Sequence, residues 1–159
     1  MIHLRRFDAL PWLMAITLAA NGCTQAEKSQ LPPTVSVKGT VKIDGLPLAN
    51  AAVQFHPDGT TAGVGSGGYT DKDGNFELIT VSGGSEITKG APVGKYKVTV
   101  SKFMKPDGTD FPLDSKEPPG LTGAVDTVPM LYSDPQWTTL DAQVPPEGGV
   151  IHLVLNTPR

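Results

Sequence analysis

The sequence predicts an all-β domain, a sandwich of six or seven short strands. Three observations lead there. Apolar and polar residues alternate with period two in several short runs, the signature of strands with one buried face. The chain spreads 18 glycines and 15 prolines through 159 residues, a density suited to many turns and unsuited to helices. No helical period is present after residue 22. The stretch Gly67–Thr80 shows the pattern in miniature. Asp71 opens a type I turn, and Gly74 takes the left-handed conformation that closes a hairpin loop with a bulge. Phe76 and Leu78 then share one face of the departing strand, with Glu77 on the other.

Composition bounds the function. Hydrophobic residues make up 38% of the chain, enough for one packed core and too many for a wholly disordered protein. The net charge is −3 and no basic run is present, so nucleic acid is not an expected partner.

The first residues read as an export signal. Arg5 and Arg6 precede an apolar run, Ala9–Ala20, that is too short to span a bilayer, which needs about 20 residues. The run ends Ala20-Asn21-Gly22-Cys23. This resembles a bacterial lipobox, in which the cysteine is lipidated and becomes the first residue of the mature chain; Asn21 departs from the pattern. Cys23 is the only cysteine, so it has no disulfide partner within the chain, and its place at the end of a leader favours lipidation over a buried free thiol. Residues 1–22 are thus the expected lipoprotein signal peptide and residues 23–33 a polar tether, followed by a domain over 34–157. The expected partner at this end is the membrane, through the lipid anchor. Thr24 follows the cysteine where inner-membrane retention favours Asp. By resemblance to Gram-negative lipoproteins, this places the protein at the outer membrane of a bacterial envelope, facing the periplasm or the cell surface.

The domain opens with the cleanest alternation in the chain: Val35, Val37, Val41 and Ile43 against Ser36, Lys38, Thr40 and Lys42. Asp44-Gly45 turns it. Ala51, Val53 and Phe55 alternate with Ala52, Gln54 and His56 in a second strand, which ends at Pro57-Asp58-Gly59. Gly63–Gly68 reads as an irregular or edge segment, and Ser82–Pro92 as a polar connection. Gly94–Lys102 alternates again, with Tyr96, Val98 and Val100 inward and Lys95, Lys97, Thr99 and Ser101 toward water. Phe103–Pro129 holds five prolines and no sustained period. A connection of that length is unusual in a compact domain, and the reading is that it is functional or disordered and the most mobile part of the domain. Leu140–Val144 and Val150–Leu155 flank Pro145–Gly149 and are expected to pair as a closing hairpin.

Four segments, in order, carry a family resemblance. They are Gly39-Thr40-Val41 with Asp44–Pro57, then Thr70–Phe76, then Gly90–Val98, then Val128–Pro135 with the closing strands. Together they resemble the carboxypeptidase regulatory-like domain, a transthyretin-like (prealbumin-like) sandwich, as found in small bacterial lipoproteins. The resemblance covers roughly residues 35–156. It implies an antiparallel seven-stranded Greek-key sandwich without catalytic residues or cofactor.

The residues themselves suggest little chemistry. Of three histidines, His3 lies in the leader, and His56 and His152 have no metal-ligand spacing around them. No nucleophile-elbow pattern is present. One enzyme shares the transthyretin fold, 5-hydroxyisourate hydrolase, and it uses a C-terminal Tyr-Arg-Gly-Ser; this chain ends Leu155-Asn156-Thr157-Pro158-Arg159. Asp71, Asp73, Asn75 and Glu77 alternate oxygen donors, but aligning Gly74 with the glycine of an EF-hand loop puts Tyr69 where the first Asp belongs, so a turn outweighs a calcium site. For ligand binding the candidates are Tyr132, Trp137 and Phe111, with Tyr69 beside them; aromatics in a sandwich more often belong to the core. The expectation is a non-catalytic structural or interaction module at the envelope, with an unknown envelope protein or glycan as partner. The alternative is a carbohydrate or small-ligand binding protein using the 103–129 loop, which would show as a concave aromatic cluster there. A periplasmic enzyme is third.

Overall fold

The computed structural model describes residues 32–82 and 86–158. The leader, Cys23 and most of the tether lie outside the described residues.

The strands follow the alternation. β1 (Thr34–Val35) and β2 (Val37–Ile43) bury Val37 and Val41 completely. Asp44 and Gly45 both have positive φ, 50° and 83°, as a type I′ turn requires, and lead into β3 (Leu46–Pro47). β4 (Ala52–Pro57) buries Val53 and Phe55. β5 (Ser66–Tyr69) runs into the Asp71–Gly74 turn, after which come β6 (Asn75–Glu77) and β7 (Ile79–Val81). β8 (Ile87–Lys89) and β9 (Ala91–Pro92) precede the longest strand, β10 (Gly94–Ser101), whose Tyr96, Val98 and Val100 are buried. β11 (Phe103–Met104) and β12 (Val125–Asp126) form a separate ladder at the base of the long loop. One helical turn, α1 (Met130–Ser133), comes before β13 (Leu140–Val144) and β14 (Gly149–Leu155).

Two sheets result. The larger has the order β13-β10-β4-β5-β7-β8, and the smaller joins β14, β2 and β3, with β6 also on β2. They pack face to face. Phe55 of the larger sheet meets Phe76 of the smaller with ring centroids 6.3 Å apart, and Tyr96 beside it at 5.6 Å. Val37, Val41, Leu153 and Leu155 from one sheet and Val53, Val98, Val100 and Val144 from the other complete one core. The protein is thus all-β and sandwich-like, and its sheets are antiparallel with one exception.

That exception corrects the closing hairpin. β13 and β14 do not pair with each other: β13 pairs with β10, while β14 crosses to the smaller sheet and runs parallel to β2 along seven residues. Gly148 donates to the Pro145 carbonyl and Gly149 to that of Ser36, which carries the chain onto β2.

Other expectations also shift. Gly63–Gly68 contains three of the four residues of an interior strand, since β5 is paired on both sides, with β4 and β7. Its glycines permit close approach: a Cβ on Gly68 would lie 2.4 Å from the Glu77 carbonyl oxygen. The connection Ser82–Pro92 contains β8 and β9, which pair with β7 and β1. The Gly67–Thr80 hairpin has a divided second arm. β6 joins β2, β7 returns to β5, and Leu78 is the pivot: its N–H donates to Val37 while its carbonyl accepts from Gly90. Thr99 is buried rather than water-facing, because His56 covers it with an Nε2–Oγ1 hydrogen bond of 3.0 Å.

Candidate functional site

The outer face of the larger sheet is concave at one corner. Outward residues alternate with the core set, so β4 presents Ala52 and Gln54, β10 presents Ser101, and β5 presents Gly67 and Tyr69. Small side chains at Ala52 and Ser101 make a low floor. Tyr69 stands 55% exposed on one side of it. Phe103, Phe111 and the segment Pro112–Pro119 rise on the other. The groove between them has a volume of about 450 Å³. A shallower trough of about 240 Å³ continues from it past Gly67 to Ile79 and Val81, sharing Ala52, Gln54 and Tyr69.

The wall is held by a polar cluster. Residues 103–111 fold back on themselves: Phe111 donates to the Phe103 carbonyl, Met104 bridges Asp110, and Lys105 donates to the Thr109 carbonyl. Asp107 ties the tip, accepting from both the N–H and the hydroxyl of Thr109, which holds its carboxyl below the usual range. Asp110 then anchors this hairpin to the sandwich. One oxygen accepts from Asn50 Nδ2 at 2.6 Å, and the other pairs with Lys102 Nζ at 3.1 Å. Those contacts, the Asn50 bond first and Lys102 second, keep the Asp110 carboxyl below its ordinary range. At the base, Asp126 accepts from the N–H groups of Lys102 and Val128.

The structure separates the aromatic candidates. Phe111 and Tyr69 line the groove. Tyr132 is buried in the core, its hydroxyl hydrogen-bonded to both the carbonyl (3.3 Å) and the N–H (3.2 Å) of Asn156; it is a packing residue without a free ring face for a ligand. Trp137 is exposed on the turn after α1 and does not line the groove. Sequence reading missed Phe103 and Asn50. Pro106-Asp107-Gly108 is a turn signal that points to the small hairpin displaying Phe103, but the surrounding prolines mask it. Asn50 carries no sequence signal of its role; it holds φ at +54°, a conformation asparagine tolerates.

The alternating donors of the central turn are all exposed, and Asp71 is turned onto its own loop. Asp71 Oδ1 accepts from the N–H groups of Asp73 (2.9 Å) and Asn75 (2.8 Å), and Asn75 Nδ2 lies 3.1 Å from Oδ2. Hydrogen bonds from Asn75 hold this carboxyl below the usual range. A carboxylate saturated by N–H donors of its own turn is poorly placed to meet a cation. Among the described residues no group of three or more His, Cys, Asp or Glu side chains is arranged to hold a metal.

His56 and His152 lie on strands of different sheets, β4 and β14. Each bonds a threonine hydroxyl, Thr99 and Thr40 respectively. Among the described residues no hydrogen bond joins either imidazole to a carboxylate, so the base–orienter pair of a hydrolytic triad is not assembled there. The corner offers aromatic side walls at Tyr69 and at Phe103 and Phe111, carboxamide and hydroxyl groups at Gln54 and Ser101, and a hairpin tied to the sandwich through Asp110. No protein-family model, curated protein or solved structure matches the chain.

Proposed function

We propose that this chain is an exported, lipid-anchored, non-catalytic binding module of the bacterial envelope, and that the groove beside Tyr69 and Phe111 takes a glycan or similar small ligand. One observation carries the binding reading: the 103–119 segment and the outer sheet face enclose about 450 Å³ flanked by Tyr69, Phe103 and Phe111. Aromatic faces with a few convergent polar groups are what a sugar-sized ligand requires. A purely structural module has no need of such a corner. Export and anchoring rest on the leader and Cys23. Mass spectrometry of the membrane-extracted protein is expected to find an acylated Cys23 as the first residue. A mature chain starting elsewhere with a free thiol refutes the anchor.

The strand order supports the finer fold reading as well. If the bent β6–β7 segment counts as one, the principal strands are β2, β4, β5, β6–β7, β10, β13 and β14, with β3 and β8 as short additions. β4, β5 and β7 form a meander, and β10 returns to lie beside β4, the order of a Greek key. This favours a carboxypeptidase regulatory-like, transthyretin-like domain.

The test of binding is an NMR titration of the protein with soluble envelope glycan fragments. Amide shifts are expected at Gln54, Gly67 and Phe111. Tyr69→Ala should weaken binding by about tenfold or more, the scale of a lost aromatic platform. Shifts centred on Trp137, or none at all, count against the groove.

A further inference from the structure

The smaller sheet ends in a long free edge. Among the described residues β14 pairs on one side only, with β2. Two bonds fix its phase: Gly149 donates to the Ser36 carbonyl, and the Leu155 carbonyl accepts from Asp44. The main-chain groups of residues 149, 151, 153 and 155 therefore face β2, and those of Val150, His152 and Val154 face away. Among the described residues nothing pairs with those three.

Sheets usually blunt such edges with short strands, charges or proline. The other sheet obeys. β8 has three residues, all exposed, and the Thr34 hydroxyl caps the Lys89 carbonyl at 3.0 Å. β13 carries Asp141, paired with Lys97 at 2.7 Å. β14 has neither device. It runs seven residues, and its one ionisable side chain is His152.

We propose that β14 is a self-association edge: a second copy of this chain pairs with it antiparallel, centred on His152. The argument is self-complementarity. Two identical strands meeting antiparallel about a twofold axis place residues equidistant from that axis opposite one another, so the strand must complement its own reverse. Val150-Ile151-His152-Leu153-Val154 does, with valine opposite valine, Ile151 opposite Leu153, and His152 opposite itself. The outward main-chain groups belong to Val150, His152 and Val154, so these become the hydrogen-bonded pairs of the new ladder. The two valines, 65% and 57% exposed in the single chain, then form one apolar cluster on the outer face.

The register makes the pairing sensitive to pH. His152 Nδ1 lies 2.8 Å from Thr40 Oγ1. Lys38 and Lys42 flank Thr40 on β2, and Glu77 of β6 stands opposite Lys38. The nearest charges are thus two lysines and one carboxylate, and twofold pairing brings the two His152 residues together. Protonation places like charges directly opposite, where they repel.

Sedimentation equilibrium of the full chain in density-matched mild detergent tests this. A strand-edge contact is small, so a weak, reversible dimer is expected near pH 8. Its association should fall about tenfold or more near pH 5.5, and likewise in His152→Lys near pH 8. Val154→Pro removes an N–H that β2 does not use and should also abolish pairing. Circular dichroism checks that each variant is folded. Amide exchange of the unmodified chain supplies a reading that needs no variant. The N–H groups of Val150, His152 and Val154 should gain protection as concentration rises, while those of Ile151, Leu153 and Leu155 are protected throughout. A monomer at every concentration overturns the proposal. So does a dimer indifferent to pH, or one whose three outward amides stay unprotected.

Discussion

Gly74 shows how tightly one residue is specified. Its φ is +77°, and a Cβ there would lie 2.6 Å from the Val41 carbonyl oxygen and 3.2 Å from the Leu48 nitrogen. Gly74→Ala therefore suffers both left-handed strain and a backbone clash, and should destabilise by roughly 1–3 kcal/mol in chemical denaturation. Asp71 works electrostatically in the same turn. Bonds from Asn75 lower its folded pKa below the reference 3.8. A depressed carboxyl contributes stability that is present above the unfolded pKa and is lost as pH falls through the folded one. Asp71→Asn cannot titrate, so its melting temperature should fall less steeply than the wild type's between about pH 5 and pH 2.5. Parallel curves would mean that the bonds to Asn75 do not act through charge. Asp107 and Asp110 titrate in the same direction and remain in both proteins.

At the scale of elements, the long connection from Phe103 to Pro129 is two things. Its first third is a hairpin tied by Asp110 to Lys102 and Asn50, and its base is closed by β11 and β12. Residues 112–118 carry only local bonds, such as Ser115 to the Pro112 and Glu117 carbonyls. Amide exchange should therefore be slow at Lys105 and Phe111 and fast at Leu113 and Lys116. Lys102→Ala should accelerate Phe111 while leaving Val98 protected. Uniform exchange from 103 to 118 would remove the basis for a rigid groove wall. The same distinction decides whether Phe103 and Phe111 are preorganised for a ligand, which sets how much affinity their rings supply.

For the whole molecule, stability resides in the seam between sheets. Phe55 is buried, packed on Phe76 across the seam and Tyr96 beside it. Phe55→Ala should cost about 3–5 kcal/mol, the usual range for an aromatic cavity, and should unfold both sheets in one transition. Two separate transitions would mean that the sheets do not share a core. The seam also bears on the positions of the two proposed surfaces. Both inner faces are committed to packing, and the groove and β14 lie on an outer face and an edge.

The alternation of Val37 and Val41, of Val53 and Phe55, and of Tyr96, Val98 and Val100 determined the strands and their buried faces, because period-two patterning is local and each residue reports its own side. The Asp71–Gly74 turn was equally legible, since its bonds span at most four residues. Tertiary structure decided the rest. Nothing in Leu140–Leu155 says that one strand stays in the larger sheet while the next crosses to run parallel with β2, because pairing partners are chosen by the packing of distant segments. Tyr132 and Phe111 look alike in sequence; one fills the core beside Asn156 and the other stands at a groove. The place of Phe111 depends on Asp110, which reaches back 60 positions to Asn50, a contact that exists only once both ends are folded.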